Sequence, residues 1–455
     1  MLKSKKFYSV LAIAAALTIC AAGCSSEDGG SGEVSASVNV IGGDGAADGS
    51  EPQETASGVI VTDENGEAVT GANGNVLTEP AHTEPLPTDT LSEDDILNAM
   101  TAATTAAPQL NIPSTNTERY GYSTLTAEEK KLYDEIVAGI EGLRYKICEE
   151  DAYSLEEWSK IYGLVYMQEP RLFYMNAKLK VGKLYYLTKD ASVINDMQKS
   201  IDAVADKLVA EANGKSTTFE KLKVFHDYLV LNSTFELKEE LTNYNSTIYN
   251  ALGSGEAQGN IQCAGYAKAM QYLCDRAGIV SMVVTGETST GQTHAWNVVD
   301  VDGKWYNLDA TWDDPILNTP NYKNIRYNFF LVPDSGIHNL THMHVGQKKL
   351  SNGNYITYFT PPACVSNDKN YFVTNGLVYS DFDSADKAIR AEIERAAKDG
   401  SRTAQIAVSS KDVYKQVYDA RNDYNGYAKG FSGVKGVSDE CNENLLVIEF
   451  DVIYN

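Results

Sequence analysis

The stretch "THAWNVVDVDGKWYNLDATWDDP", residues 293–315, constrains the fold more tightly than any other part of the chain. Two apolar-rich runs flank Asp302-Gly303, and Asp-Gly between such runs marks a two-residue hairpin turn. With that turn Val301 faces Lys304, and counting back sets Trp296 opposite Asp309 and His294 opposite Thr311. His294 and Asp309 are then diagonal neighbours on one face, within side-chain reach. An Asp so placed can hold an imidazole in one tautomer and support its charged form. Asp313 shares the face but lies further on and ranks second, while Asp314 points the other way. Asp300 and Asp302 sit at the turn, far from His294. A loop one residue longer would shift the register and overturn this pairing.

A helical pattern precedes the hairpin. In "NIQCAGYAKAMQYLCDRAG", 260–278, the residues Cys263, Ala267, Met270 and Cys274 recur at i, i+4, i+7 and i+11, one helical stripe. Gly278 supplies the stop. Asn260 is the expected N-cap, which puts Cys263 in the first turn, where unpaired N–H groups and the helix dipole favour a thiolate. Cys274 lies deep in the helix and reads as a small apolar core residue. A thiolate nucleophile needs a base, and the base an orienting partner. His294 and Asp309 offer both.

These motifs carry a resemblance. "CAGYAKAMQYLCDRAGI" (263–279), "HAWNVVDVDGKWYNLDATWDDP" (294–315) and "YNFFLVPDSGIHNLTHMH" (327–344) resemble the transglutaminase-like superfamily, with weaker likeness upstream, over roughly residues 118–360. The resemblance implies a papain-related α+β core with a Cys-His-Asp triad, its nucleophile on Cys263, its base on His294 and its carboxylate on Asp309. The segment from Gly255 to Gln262 is longer than the family pattern. Such a Cys–His pair attacks an amide or thioester carbonyl and forms a thioacyl enzyme. The developing oxyanion needs donors, expected from the Cys263 N–H and a side-chain amide, Gln258 ahead of Gln262 and Asn260. An amine acceptor gives crosslinking; water gives deamidation or peptide hydrolysis. No cofactor is called for.

The remaining text sets the frame. Lys3, Lys5 and Lys6 precede a short apolar run, Val10 to Ile19, and Ala21-Ala22-Gly23-Cys24 follows. Residues 1–24 therefore resemble a bacterial lipoprotein signal with Cys24 as the lipidated residue, although Ala21 stands where Leu is usual. The alternative is an ordinary secreted protein cut near Ala22. Residues 25–116 hold 16 Asp and Glu and no Lys or Arg, and are poor in aromatics, which predicts a disordered acidic linker. The formal net charge of -24 is thus uneven: residues 117–455 carry 46 acidic and 35 basic residues. Nothing there forms the basic patch a nucleic acid needs.

Capping boxes at Thr126, Ser154 and Thr217 predict helices, with another over 191–212, and residues 171–188 read as a hairpin. His226 reads as a packed or partly solvated helix histidine. His338, His342 and His344 lack an acidic or Cys partner for a metal. Cys148, Cys364 and Cys441 are expected mostly free. Beyond 363 the text predicts a hairpin around Asn375-Gly376, a helix over 384–400, strands at 403–410 and 444–454, and a helix at 411–421. The expected fold class is α+β: a papain/transglutaminase-like core with N-terminal helices at 117–363 and a small accessory α+β domain at 364–455. The expected function is a cell-surface, lipid-anchored cysteine acyltransferase or amidase acting on protein or cell-wall peptides. A non-catalytic surface scaffold that retains the fold is the alternative.

Overall fold

The helices begin where side chains can satisfy orphan N–H groups. Thr126 and Glu129 exchange reciprocal bonds and open α1 (Ala127–Glu141). Ser154 and Glu157 do the same for α2 (Leu155–Gln168). Asp190 caps α3 (Ala191–Asn213), and Thr217 with Glu220 opens α4 (Thr218–Asn232). Each such cap stabilises its helix by about 1 kcal/mol. The short α5 (Ile248–Leu252) precedes α6 (Cys263–Ala277). The structure, a computed structural model, describes residues 58–60, 78–80, 109–114, 119–236, 244–253, 259–288, 292–314, 324–337, 347–349 and 355–455. Residues 25–105 form a separate unit, of which only the antiparallel pairing of Gly58–Ile60 with Thr78–Pro80 is described. Among the described residues no helix is long and apolar enough to cross a membrane.

The start of α6 corrects one expectation. Its N-cap is Gln262, not Asn260. Asn260–Ile261 is extended and pairs in parallel with Thr234–Phe235, so the helix begins two residues later and Cys263 is its first residue. Gly278 ends it at φ +71. Cys274 is fully buried, and burial pushes its thiol well above the ordinary range.

Helix α6 packs on an antiparallel sheet, ordered β1 (Ser281–Glu287), β2 (Thr293–Val301), β3 (Lys304–Leu308), β4 (Phe330–Val332). The β2–β3 register runs from Val301↔Lys304 to Asn297↔Leu308, as the two-residue turn predicts. Asp302 (φ 56) and Gly303 (φ 79) are both left-handed, the primed turn that matches strand twist. Asn297 Nδ2 donates to the Ala267 carbonyl at 2.9 Å and so fastens β2 to α6.

Of two further predicted hairpins, one forms loosely and one differs. Residues 171–188 begin in a 3-10 turn at Pro170–Leu172 and then close a loose hairpin, with antiparallel bridges Met175↔Tyr186 and Lys180↔Lys183. Asn176 N donates to Tyr185 O and Leu187 N to Tyr174 O across it, and its second arm also bonds residues 145–147: Leu184 N donates to Tyr145 O and Ile147 N to Gly182 O. Residues 369–380 start as a helical turn, Tyr371–Thr374, because Asn370 caps it. After Gly376 the chain enters β5 (Val378–Tyr379), which pairs in parallel with β6 (Thr403–Val408).

The C-terminal elements are β5, α7 (Phe382–Asp399), β6, α8 (Lys411–Asp419), α9 (Arg421–Ala428), β7 (Val434–Asp439) and β8 (Val447–Tyr454), with sheet order β5-β6-β8-β7. The predicted single helix after β6 is thus two, and β7 and β8 are successive antiparallel strands. Ile389, Ile393, Ile406, Ile448 and Phe450 form its core, distinct from the large core that runs from Leu125 to Cys364. The fold is mixed α and β.

One glycine sets how closely α6 can approach its neighbours. A Cβ on Gly265 would lie 2.6 Å from the Asn245 carbonyl oxygen and 2.9 Å from Ile261 Cβ. A helical Gly→Ala change alone gains about 1 kcal/mol, whereas overpacking costs about 1–3 kcal/mol. Backbone cannot retreat like a side-chain tip, so Gly265→Ala is expected to be net destabilising. A lowered urea midpoint with an unchanged slope would report this.

Candidate active site

Cys263 comes to the site on the first turn of α6. Its cap, Gln262, makes no side-chain bond to the helix. Among the described residues the Cys263 N–H has no partner, since the first helical N–H groups have no carbonyl behind them. That N–H is available to a developing oxyanion.

His294 comes from β2 and Asp309 from the end of β3. Their side chains meet: His294 Nε2 lies 2.6 Å from Asp309 Oδ2. The other carboxylate oxygen, Oδ1, accepts from Thr311 N at 2.9 Å and Trp312 N at 3.2 Å, so the group cannot swing away. Cys263 lies beside the same imidazole and favours its charged form. With Nε2 engaged by Asp309, Nδ1 is the nitrogen left to face it. Cys263, His294 and Asp309 are 4%, 6% and 1% exposed. The His294 ring stacks on Trp296 at 5.8 Å and meets Trp312 edge-on at 6.0 Å. Burial disfavours charge on His294, but Asp309 and then Cys263 outweigh it and push the imidazole from 6.5 up to about 10. The ring is held as the imidazolium, the partner a thiolate requires.

His226 is the packed helix histidine the sequence suggests, but its acidic partners were not legible. His226 is fully buried between two carboxylates, Asp313 Oδ2 at 3.1 Å from Nε2 and Asp227 Oδ1 at 3.2 Å from Nδ1. Burial opposes its charge, yet Asp227 and Asp313 raise it. Asp313, the second candidate for His294, is therefore committed elsewhere. The signal was there in Phe225-His226-Asp227 and in the acidic pair after Trp312, but their pairing joins positions 87 apart in the chain. Asp314 bonds the Tyr266 hydroxyl, one turn beyond Cys263, and burial pushes this carboxyl up to about 7.

Residues 203–310, a span that includes Cys263, His294 and Asp309, match the model of the transglutaminase-like superfamily. The chain carries a transglutaminase-like domain. Kyphoscoliosis peptidase from Homo sapiens is 35% identical over 80 residues, covering 15% of this chain and 12% of that protein. The Mus musculus protein is 34% identical over the same shares. The chain thus spans only about an eighth of the curated relatives it matches. Among solved structures, a TGase is 23% identical over 31% of this chain and 37% of its own, with a TM-score of 0.23. The periplasmic domain of TgpA from Pseudomonas aeruginosa is 21% identical over 25% of this chain and 42% of its own, with a TM-score of 0.20.

Several expected residues fall beyond the described ones: Gln258, Cys24, His338, His342 and His344. Of the alternatives to Gln258, Gln262 is buried with its Oε1 3.3 Å from Ser246 Oγ, and the Asn260 carbonyl accepts from Asn250 Nδ2 at 3.2 Å. Cys148, Cys364 and Cys441 are free thiols.

The raised His294 sets the sign of a pH effect. Between 6.5 and about 10 the native chain keeps a proton that the unfolded chain releases. Stability from this group is full below 6.5 and is lost as pH rises through about 10. The gap in urea midpoint between wild type and His294→Gln should therefore be larger at pH 6 than at pH 10. A constant gap would show that the imidazole is not held charged.

Proposed function

We propose that the protein is an extracytoplasmic cysteine enzyme acting on carboxamide groups of proteins or peptides, anchored through a lipidated Cys24. Cys263 is the nucleophile, His294 the proton carrier and Asp309 its orienting carboxylate. The reading is carried by the single imidazole that bonds Asp309 at 2.6 Å and has Cys263 beside it, favouring its charge. In the proposed reaction the Cys263 sulfur attacks the carbonyl carbon, and the Cys263 N–H donates to the oxyanion. His294 delivers its proton to the departing nitrogen as the C–N bond breaks, leaving a thioester on Cys263. Neutral His294 then takes a proton from an amine or water, which attacks the thioester and releases the thiol. The amine route forms a new amide; the water route forms a carboxylic acid. Asp309 stays ionised throughout. A cell-wall peptide or a secreted protein is the proposed substrate class.

Labelling with iodoacetamide at pH 6, mapped by mass spectrometry, tests the nucleophile. Burial raises the thiols of Cys148, Cys274, Cys364 and Cys441, so Cys263 should dominate. His294→Ala should slow it at least about tenfold, since the imidazolium supplies the stabilising charge. Equal rates in wild type and His294→Ala would leave a non-catalytic scaffold. Incubation of wild type with a glutamine peptide and a primary amine then separates amine incorporation from ammonia release.

The proposed anchor has its own measurement. The full chain expressed with its first 24 residues should partition into detergent, and Cys24→Ser should move it to the aqueous phase. Aqueous partitioning of both would leave an ordinary secreted protein.

A further inference from the structure

The C-terminal module buries charge where a small sheet would ordinarily bury apolar groups. Glu449 on β8 is fully buried and Asp451 nearly so. Both meet one short segment just before β4. The Arg326 guanidinium pairs with Glu449 and, at 3.2 Å, with Asp451. Asn328 Nδ2 donates to Glu449 Oε2 at 2.9 Å. Gln405 on β6 completes the network, donating to Glu449 Oε2 at 2.7 Å and to Asn328 Oδ1 at 3.1 Å.

The main chain of the same segment grips the other side. Arg326 N donates to the Asp313 carbonyl at 3.2 Å, and Phe329 N to Asp313 Oδ1 at 3.0 Å. Asp309 N donates to the Phe329 carbonyl at 3.1 Å. The Phe329 ring stands against Trp312 at 5.5 Å, and Trp312 stands against His294. Residues 326–329 are thus a strut: side chains to Glu449, main chain to Asp309 and Asp313.

A buried ionic network is weak as a source of stability, because desolvation offsets most of its attraction and an apolar replacement of equal volume is often neutral or better. What such a network does is fix one register. Here the register is that of the carbonyl holding Asp309, and displacing a catalytic group by about 1 Å can cost about a hundredfold in rate. We propose that the C-terminal module is a positioning element of the active site, with Glu449, through Arg326 and Asn328, setting where Asp309 meets His294. This rests on the proposed triad.

The test uses the full chain with three variants: Glu449→Gln, the apolar pair Arg326→Met/Glu449→Leu, and Lys398→Gln on the exposed face of α7 as a control. Two quantities are read: iodoacetamide labelling of Cys263 at pH 6, and the His294 imidazole titration by NMR. The two strut variants should label about tenfold more slowly and move the His294 titration down toward 6.5. The apolar pair should do so while keeping a cooperative thermal unfolding transition, which a loss of folding would not allow. Lys398→Gln should match wild type. Folded strut variants with wild-type labelling and titration would overturn the proposal. Failure of the triad reads differently: wild type would then label no faster than His294→Ala, whereas the titration still decides whether the strut acts on His294.

Discussion

The hydrogen bond between His294 and Asp309 is the interaction on which the rest of the site depends. It is short, at 2.6 Å, and almost dry. A buried imidazolium without its carboxylate would be an uncompensated charge, and breaking such a pair costs about 3–5 kcal/mol. The neighbouring structure therefore holds the carboxylate from every side. Two main-chain N–H groups fix Oδ1, the Phe329 carbonyl holds Asp309 N, and Trp296 and Trp312 pack around the ring. Cys263 needs no such cage. The helix start positions it, and the Asn297 bond to the Ala267 carbonyl fixes the distance between helix and strand.

Charge continues outward from this pair in a connected arrangement. Asp313 takes His226, Asp314 takes Tyr266, and Arg326 takes Glu449 and Asp451. None of these is a conventional source of stability, since each ion is removed from water. Together they specify geometry. The segment from Asp309 to Asp314 is tied to α4, to α6 and, through residues 326–329, to the C-terminal sheet. Elements distant in sequence thus converge on one short segment.

Much of the fold near the site was legible because its rules are local. A two-residue Asp-Gly turn fixes strand register, and register decides that His294 and Asp309 share a face. Capping boxes at Thr126, Ser154 and Thr217 announce helix starts by hydrogen bonds spanning three residues. Misreadings arose where a distant partner replaced a local one. Asn260 pairs with a strand at Thr234 instead of capping α6. Asn375-Gly376 ends a helical turn because Asn370 caps that turn five residues earlier.

By itself, then, the amino-acid sequence determined the α6 stripe, the hairpin register and the pairing of His294 with Asp309, all set by periods of 3.6 and 2 residues acting over short spans. Only the tertiary structure decided the roles of His226, Asp313, Arg326 and Glu449. His226 meets Asp313 across 87 positions and Arg326 meets Asp451 across 125. No periodicity encodes such a distance, and a buried charge finds its partner only when packing brings the two elements together.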